Sequence, residues 1–458
     1  MSLFSFLLIE ICAELSLFAA VGFLILSIDD LIVDLIYFAR KAWRSAVIYS
    51  RFPRMFADRL PTPLRPGWLA VLVPAWDEAS VIAPMLRASL QRFEHDDYTI
   101  FVGHYRNDPG TRAAIQSVAD PRVVAVEVNA DGPTTKADCL NHLFAALQVR
   151  EEAIGRSAKA VVLHDAEDVV HPLELKLFDR LIEYAALVQL PVVPLIDRSS
   201  RWVAGHYADE FAESHVKELV VREAVGAAIP LAGVGCAIGR VALERLALRH
   251  DGRPFDGASM TEDYELGLRL GGIGLKTMFV RMLESPGSRA VVASRGHFPA
   301  TVDAAVRQKA RWIGGIAFSG WDRLGWNGGL GERWMRMRDR KGPLAAMLLL
   351  ASYVAAALWA QIAFAAALGA PVAVPSSPVL GTLMMINAMI LAWRLVMRAS
   401  CTALVHGWRE GLRSVPRAVV ANVIAILATH RALMIHSAGG PRRWEKTHHI
   451  YPAKVVSS

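Results

Sequence analysis

Three carboxylates stand within four residues in the segment His164-Asp165-Ala166-Glu167-Asp168, directly after the apolar run Ala160–Leu163. Carboxylates this close repel one another unless a cation lies among them. A hard divalent cation such as Mg²⁺ or Mn²⁺ takes oxygen ligands, keeps several waters and bridges to phosphates. The alternative is an exposed acidic turn. Because the segment follows a strand-like run, it predicts a metal site on Asp165 and on Glu167 or Asp168.

Two further motifs carry side chains suited to chemistry. Thr261-Glu262-Asp263 opens a helix-like pattern, YELGLRLGG, so we expect Thr261 to cap that helix, and a cap alone is one interpretation. Within Gln308-Lys309-Ala310-Arg311-Trp312, Arg311 offers a planar fork suited to a phosphate and Trp312 offers an apolar stacking face. The other interpretation of this motif is a belt of Trp and Arg beside a membrane.

The elements that must position these motifs alternate between strand-like and helix-like segments. The strand-like runs are Trp68–Pro74, Tyr98–Tyr105, Val123–Val128 and Ala160–Leu163. This alternation predicts parallel βαβ units, whose ligands bind beyond the carboxyl ends of the strands. Acidic residues follow three of these ends: Asp77 and Glu78, Asp108, and then the Asp165–Asp168 group.

Two common nucleotide-binding motifs are missing from this region of the sequence. No G-x-G-x-x-G follows the first strand, which argues against a dinucleotide site, and no G-x-x-x-x-G-K-[ST] occurs, which excludes a P-loop. A glycine run at Gly233–Gly239 is a weak signal and is interpreted as tight packing.

The composition indicates a membrane protein. Of the 458 residues, 53% are hydrophobic and 20% are charged, whereas a typical soluble domain has about 45–50% apolar and about 25% charged residues. The formal charge of +7 suits nucleic acid, phosphorylated ligands or an anionic membrane surface. Because most basic clusters adjoin apolar spans, we expect membrane lipids and no nucleic acid as partners.

Apolar stretches and their basic flanks divide the chain into segments. The expected segments are a transmembrane helix in 1–40, a basic linker in 41–65, the α/β domain in 66–320, a basic amphipathic connector in 321–343, two transmembrane helices in 344–400 separated by an uncharged loop (APVAVPSSP), and a basic interfacial helix with a tail in 401–458. A fourth span is the alternative for the last segment. The positive-inside rule places 40–343 and the tail in the cytoplasm.

In this order, inside one α/β domain flanked by spans, the motifs resemble those of membrane-bound family 2 glycosyltransferases of the cellulose-synthase-like type. That family carries an Asp after the second strand, a D-x-D, a T-E-D and a Q-x-x-R-W. The matching positions are Asp108, Asp165–Glu167, Thr261–Asp263 and Gln308–Trp312. The loop at 74–78 and the segment at 136–141 resemble two further family segments, and the resemblance covers roughly 66–320.

Within the family, the chain most resembles the phage-adsorption protein B subgroup. Three segments carry this likeness: HDAEDVVHPLEL, the early Ile28–Leu31 motif (IDDL) and the terminal RRWEKTHH. One departure is Glu167, which stands where the family usually has Asp. A second is that longer subgroup members carry a further cytoplasmic region, so regulation by such a region is not carried over to this chain.

The resemblance implies a cytoplasmic GT-A domain at a bacterial inner membrane. It implies a nucleotide-diphosphate sugar donor of the UDP type, Mg²⁺ or Mn²⁺, a saccharide acceptor and inversion at the transferred sugar. The implied roles are the catalytic base for Asp263 with Glu262 beside it, the metal ligands for Asp165 and Glu167 or Asp168, donor binding for Asp77, Glu78, Asp108, Lys136 and Arg311, and acceptor binding for Gln308 and Trp312.

Two alternatives remain at this point. One is transfer of a single sugar to a lipid-linked acceptor, a polyprenyl phosphate. The other is a catalytically inactive membrane scaffold or phage-receptor component. Three spans are few for a self-contained polysaccharide channel, which leaves room for an export partner protein.

Overall fold

The four strand-like runs form the parallel half of a seven-stranded sheet in the computed structural model, which describes residues 3–369, 377–438 and 449–452. The strands of the chain are β1 (Leu69–Pro74), β2 (Tyr98–Tyr105), β3 (Val123–Val128), β4 (Ala160–Leu163), β5 (Leu187–Gln189), β6 (Val192–Leu195), β7 (Cys236–Gly239), β8 (Thr277–Phe279) and β9 (Ser294–His297). Most of the APVAVPSSP loop, at 370–376, and residues 442–448 of RRWEKTHH lie outside the described residues.

The sheet order is β3-β2-β1-β4-β7-β5-β8. Strands β1 to β4 are mutually parallel, which confirms the predicted βαβ pattern, while β7 runs antiparallel between β4 and β5. Strands β6 and β9 form a separate parallel pair. This order places the carboxyl ends of β1 and β4 side by side, so the loops that follow these strands are neighbours.

Helices cover both faces of this sheet and continue into the apolar part of the chain. They are α1 (Leu3–Trp43), α2 (Ile82–Arg92), α3 (Pro109–Gln116), α4 (Lys136–Ile154), α5 (Glu174–Leu181), α6 (Val203–Glu213), α7 (Leu219–Ala224), α8 (Arg240–Ala247), α9 (Glu262–Gly272), α10 (Val302–Ile313), α11 (Gly320–Leu324), α12 (Leu330–Arg340), α13 (Gly342–Ala367), α14 (Pro378–His406) and α15 (Trp408–Ala438). Short π-helical turns lie at Arg44–Ile48, Ser214–Glu218 and Gly314–Ser319.

Strand β1 is apolar throughout because both of its faces are buried. Leu69, Val71 and Val73 pack with α2 and α5 on one face. Ala70 and Leu72 pack with α4 and α9 on the other. A continuous apolar run is typical of such a central parallel strand, and the rigid strand fixes where the loop after it begins.

Within the part of the chain that the structure describes, four helices are long and apolar enough to cross a membrane: α1 (continued by the π-helical turn), α13, α14 and α15. The sequence predicted three spans, so α15 is an additional candidate. Helix α1 packs against α13 and α14. The hydrogen bonds that join them include those from Trp359 Nε1 to Ser16 Oγ at 3.0 Å and from Asn387 Nδ2 to the Ala20 carbonyl at 2.9 Å.

Helix α15 lies against the α/β domain along much of its length. Arg417 pairs with Asp209 of α6 at 2.7 Å, and Ile424 packs beside Tyr207 of the same helix. Further along, Ala428 and Ala432 pack against Ala310 of α10. The opposite side is exposed and apolar; its side chains include Leu412, Val415, Val419, Val423 and Leu427. The helix also packs against α13 and α14. It therefore contacts the domain and two other apolar helices, and it keeps an exposed apolar side.

The IDDL motif joins α1 to the rest of the chain. Asp29 and Asp30 pair with Arg338 and Lys341 at the junction of α12 and α13, and Asp30 also pairs with Arg394 of α14. We call these five residues the membrane-proximal ion-pair cluster. Charges taken out of water are stable only when they are paired and hydrogen-bonded, so these pairs hold α1 against α12, α13 and α14.

One helical turn further along α1, Asp34 is buried and accepts hydrogen bonds from Lys217 at 2.6 Å and from Trp393 Nε1 at 2.8 Å. We expect Asp34→Asn to lower the free energy of unfolding by about 3 kcal/mol, because breaking a buried pair leaves the partner charge uncompensated. This is near the lower end of the usual range since Glu213 still pairs with Lys217.

Denaturant titration of the protein in detergent micelles measures this loss. Glu14→Gln is the control, since it also neutralises a carboxylate of α1, but at an exposed position. Equal stability of the two variants would show that the Asp34 pair contributes nothing to the attachment of α1.

Candidate active site

A cavity of about 1140 Å³ opens at the carboxyl ends of the strands. Nine of the residues that the sequence singled out line it: Lys136, Asp165, Glu167, Asp168, Glu262, Asp263, Gln308, Arg311 and Trp312. They come from the loop after β4 and from the N-terminal or inner faces of α4, α9 and α10. The topology therefore brings the separate motifs into one place.

Asp77, Glu78 and Asp108 lie beside this cavity and do not line it. The Asp108 carboxylate caps α3 by accepting from the Thr111 amide at 3.1 Å, and it also accepts from the Asp77 amide at 2.5 Å. Thr111 Oγ1 accepts from the Glu78 amide at 2.8 Å. Asp108 thus holds the loop after β1, and this loop presents Glu78 toward the neighbouring loop after β4.

The acidic loop after β4 is closed by Asp168. Its Oδ2 accepts from the Asp165 amide at 3.0 Å and from His164 Nδ1 at 2.9 Å. His164 Nε2 contacts Glu174 Oε1 at 2.6 Å. Although burial opposes a charge on this ring, Glu174 and Asp168 raise the pKa of His164 to about 10. A buried imidazolium therefore holds Asp168 in place.

Glu167 has a different environment from that of Asp168. Its Oε2 is buried and has no hydrogen-bond partner among the described residues. Burial raises the pKa of Glu167 to about 8; His449 opposes this shift, and Asp165 and Asp168 add to it. A buried carboxylate oxygen without a partner is costly unless a ligand satisfies it, so Glu167 presents an atom suited to an external cation.

Lys136, the first residue of α4, neutralises part of the acidic loop. Its Nζ lies 2.5 Å from Asp165 Oδ1. Burial lowers the pKa of Lys136, but the surrounding carboxylates Asp165, Glu262 and Asp263 outweigh it and hold the pKa above its usual value. The ammonium group therefore lies between the acidic loop and the N-terminus of α9.

At that N-terminus, Thr261 occupies the cap position, but its side chain makes no capping hydrogen bond, so the predicted cap by this hydroxyl is wrong. Its Oγ1 is buried without a partner in the described structure. Burial raises the pKa of Asp263, with Lys136 opposing, and raises that of Glu262 to about 7, with Asp263 adding to it. Desolvation therefore outweighs the helix dipole, which would lower both values.

The glycine run contributes to the site and not only to packing. Gly233 has a φ of +80°, and a Cβ at this position would lie 2.4 Å from Asp263 Oδ2 and 3.4 Å from Lys136 Nζ. Only a residue without a side chain lets the backbone approach the Asp263 carboxylate this closely.

Helix α10 supplies the other side of the cavity. Lys309 anchors it by pairing with Glu210 of α6 at 2.5 Å. Gln308 Oε1 is buried and has no hydrogen-bond partner among the described residues. Trp312 packs edge-on against Tyr207, with ring centroids 6.0 Å apart, and Arg311 lies close enough to Asp263 to lower its pKa. A polar acceptor and an aromatic surface thus face the same space.

His449 is a residue of this site to which the sequence assigned no role. It lines the cavity together with Ile450, and its ring contacts both Glu78 and Glu167. The only sequence signal was the terminal RRWEKTHH segment, which indicated a subgroup and no function.

The donor set fits a hard cation. Its available atoms are carboxylate oxygens, including the partnerless Glu167 Oε2. Over residues 3–369, 377–438 and 449–452, no three His, Cys, Asp or Glu side chains are arranged to hold a metal alone. The fit therefore rests on the carboxylate oxygens themselves, because hard divalent cations prefer oxygen ligands.

The chain is similar to known proteins in sequence and in fold. Residues 66–315 match a family model described as "Glycosyltransferase like family 2". Bacteriophage adsorption protein B of Escherichia coli K12 and bacteriophage N4 adsorption protein B of E. coli O157:H7 are each 35% identical over 95% of this chain. The chain spans 61% of the length of these relatives.

Among solved structures, the chain is similar to the mannosyltransferase PcManGT from Pyrobaculum calidifontis, crystallised with GDP-Man and Mn²⁺. The TM-score is 0.51 at 18% identity, and the match covers 93% of this chain and 99% of that one. This likeness confirms the GT-A fold expected from the sequence.

Gly233→Ala tests the close approach at Asp263. The new methyl group must displace the carboxylate, and a misplacement of about 1 Å in a catalytic group can cost about 10²-fold in rate. We expect consumption of a nucleotide-sugar donor to fall by about that factor. Gly252→Ala is a matched control, since Gly252 has a φ of +78° and open space around it. Similar losses in both variants would attribute the effect to backbone strain alone.

Proposed function

The chain belongs to glycosyltransferase family 2, and we propose that it transfers a sugar from a UDP-linked donor to a growing saccharide, with inversion at the transferred carbon. The observation that carries this proposal is the arrangement around Lys136. Its ammonium group pairs with Asp165 of the acidic loop and lies beside Asp263 of the T-E-D motif. One cavity can therefore bind a donor diphosphate and also hold an acceptor hydroxyl beside Asp263.

Asp165 and Glu167 are the proposed metal ligands. Glu167 is favoured over Asp168 because its Oε2 is buried and unsatisfied, whereas Asp168 Oδ2 already accepts two hydrogen bonds. Asp168 then positions the loop. When bound, Mg²⁺ or Mn²⁺ neutralises the charge of the diphosphate leaving group.

Lys136 and Arg311 are proposed to bind the diphosphate, on which both can place a positive charge. Asp77, Glu78 and Asp108 are proposed to form the nucleoside end of the donor site, where Asp108 holds the loop that carries the other two.

Asp263 is proposed to remove the proton from the acceptor hydroxyl, with Glu262 beside it. Its raised pKa supports this role, because a base works best with a pKa near the operating pH. The proton moves to a carboxylate oxygen of Asp263 as the acceptor oxygen attacks the sugar carbon opposite the leaving group. Gln308 is proposed to accept a hydrogen bond from the acceptor, and Trp312 to stack against its sugar ring.

The membrane arrangement supports a cytoplasmic active site at a bacterial inner membrane. Helices α1, α13 and α14 are proposed to cross the bilayer, and α15 to lie on the inner leaflet. The contacts of α15 with α6 and α10, and the apolar stripe on its opposite side, are typical of an interfacial helix. Any export partner protein would receive the product at the membrane side of the active site.

A lipid-linked acceptor is the second candidate, and one observation favours it. A shallow, mostly apolar depression between α10 and α15 adjoins the cavity, and Val306, Leu427 and Arg431 are among the residues that line it. An acyl or polyprenyl chain could reach the cavity from the leaflet along this side. Product length separates the candidates, because chain extension gives a ladder of products and single transfer gives one.

Purified protein offered a panel of UDP-sugars with Mn²⁺ is expected to release UDP from one of them. Excess EDTA should abolish this release because it removes the metal ion. Asp165→Ala should abolish it because it removes a metal ligand. An inactive scaffold would release no UDP from any donor. Full release in EDTA would contradict the metal assignment while leaving the enzyme assignment intact.

Asp263→Asn keeps the size of the side chain and removes the proton acceptor. General base catalysis contributes about 10²–10⁴-fold, so we expect transfer to fall within that range while UDP binding, measured by calorimetry, stays within a few-fold of wild type. Glu262→Gln is the matched neighbour and should be milder. If Glu262→Gln is inactive and Asp263→Asn transfers normally, the base is Glu262. If UDP binding collapses in Asp263→Asn, the residue belongs to the donor site.

A further inference from the structure

The described C-terminal segment, residues 449–452, returns to the α/β domain after α15. His449 and Ile450 line the cavity. Tyr451 packs against the apolar cluster on the α2 and α5 side of the sheet. The segment is therefore anchored in the core beside the point where His449 enters the site.

The His449 ring lies between two glutamates from different loops. Nδ1 is 2.8 Å from Glu78 Oε1, and Nε2 is 3.2 Å from Glu167 Oε1. The contact with Glu78 is a hydrogen bond, and the contact with Glu167 is within ion-pair distance. One side chain thus joins the loop after β1 to the loop after β4.

The contact leaves the free oxygen of Glu167 available. His449 uses Oε1, while Oε2 remains buried and without a hydrogen-bond partner in the described chain. The geometry therefore separates two tasks, with His449 on one oxygen of Glu167 and a ligand on the other.

We propose that His449 is a positioning residue of the donor site, which orients Glu167 for the divalent cation and fastens the Glu78 loop beside it. The inference rests on the proposed metal role of Glu167. It assigns a task in the site to a residue that follows the last helix and lies more than 100 residues beyond the family-matched region 66–315.

Direct Mn²⁺ binding to the full-length protein without nucleotide, followed by electron paramagnetic resonance, tests the proposal. Loss of an outer partner of a metal ligand typically costs about 10–100-fold in affinity, and we expect His449→Ala to weaken Mn²⁺ binding by about that range. His449→Gln keeps an N–H donor and should recover part of the affinity. His436→Ala is the control, since His436 lines the same cavity and packs on Phe318.

The outcomes distinguish this inference from the function on which it rests. If the wild-type protein binds no Mn²⁺, the metal site fails and the role of His449 fails with it. If the wild type binds Mn²⁺ and His449→Ala binds it equally well, only the positioning role is wrong. Tighter binding by His449→Ala would show that the ring competes with the cation, which also overturns the proposal. Should His449→Ala fail to fold, His449→Phe takes its place, because it keeps an aromatic ring and has no N–H donor, and unchanged Mn²⁺ affinity in that variant would overturn the proposal.

Discussion

The constraint on which the site depends is the crowding of five carboxylates around one cavity. Asp165, Glu167 and Asp168 follow β4, and Glu262 and Asp263 begin α9. Asp168 is buried and the other four are partly buried, so their charges need cations or hydrogen bonds that compensate them. The compensating groups come from three separate places, namely the start of α4, the strand end at His164 and the C-terminal segment. Their ion pairs therefore connect the start of α4, the end of β4 and the C-terminal segment to the acidic loop.

The parallel half of the sheet could be predicted from sequence because its signals are local. Each strand is a continuous apolar run, and the acidic residues stand directly after strands that the topology makes neighbours. Asp165, Asp263 and Trp312 belong to separate motifs that the family resemblance assigned to one site, and all three line one cavity. Their distances and protonation could not be predicted, since the dipole at the α9 N-terminus and the desolvation of Asp263 act in opposite directions. Only the packing around this carboxylate shows that desolvation is the larger effect.

Features that depend on contacts between distant parts of the chain could not be predicted from the sequence. Thr261 has the residue type of a cap, yet its hydroxyl faces Gly315 instead of the helix amides. His449 carries no periodic or spacing signal that would place it beside residues near 78 and 167. The apolar pattern of α15 fits a span and a surface helix equally well, because both need the same side chains, and its contacts with Tyr207 and Ala310 could not be predicted from that pattern.

The membrane-proximal ion-pair cluster has a consequence for how the chain is made. Asp29 is synthesised early, whereas its partners Arg338 and Lys341 follow about 300 residues later. Arg394, which pairs with Asp30, is synthesised later still. During that interval the acidic end of α1 has no partner, although α1 itself is already available for insertion. The contacts of α1 with α12, α13 and α14 are therefore completed only after the α/β domain, which lies between them in the chain, has been synthesised. Until then, the nascent protein relies on water or lipid headgroups to solvate the carboxylates that later hold it together.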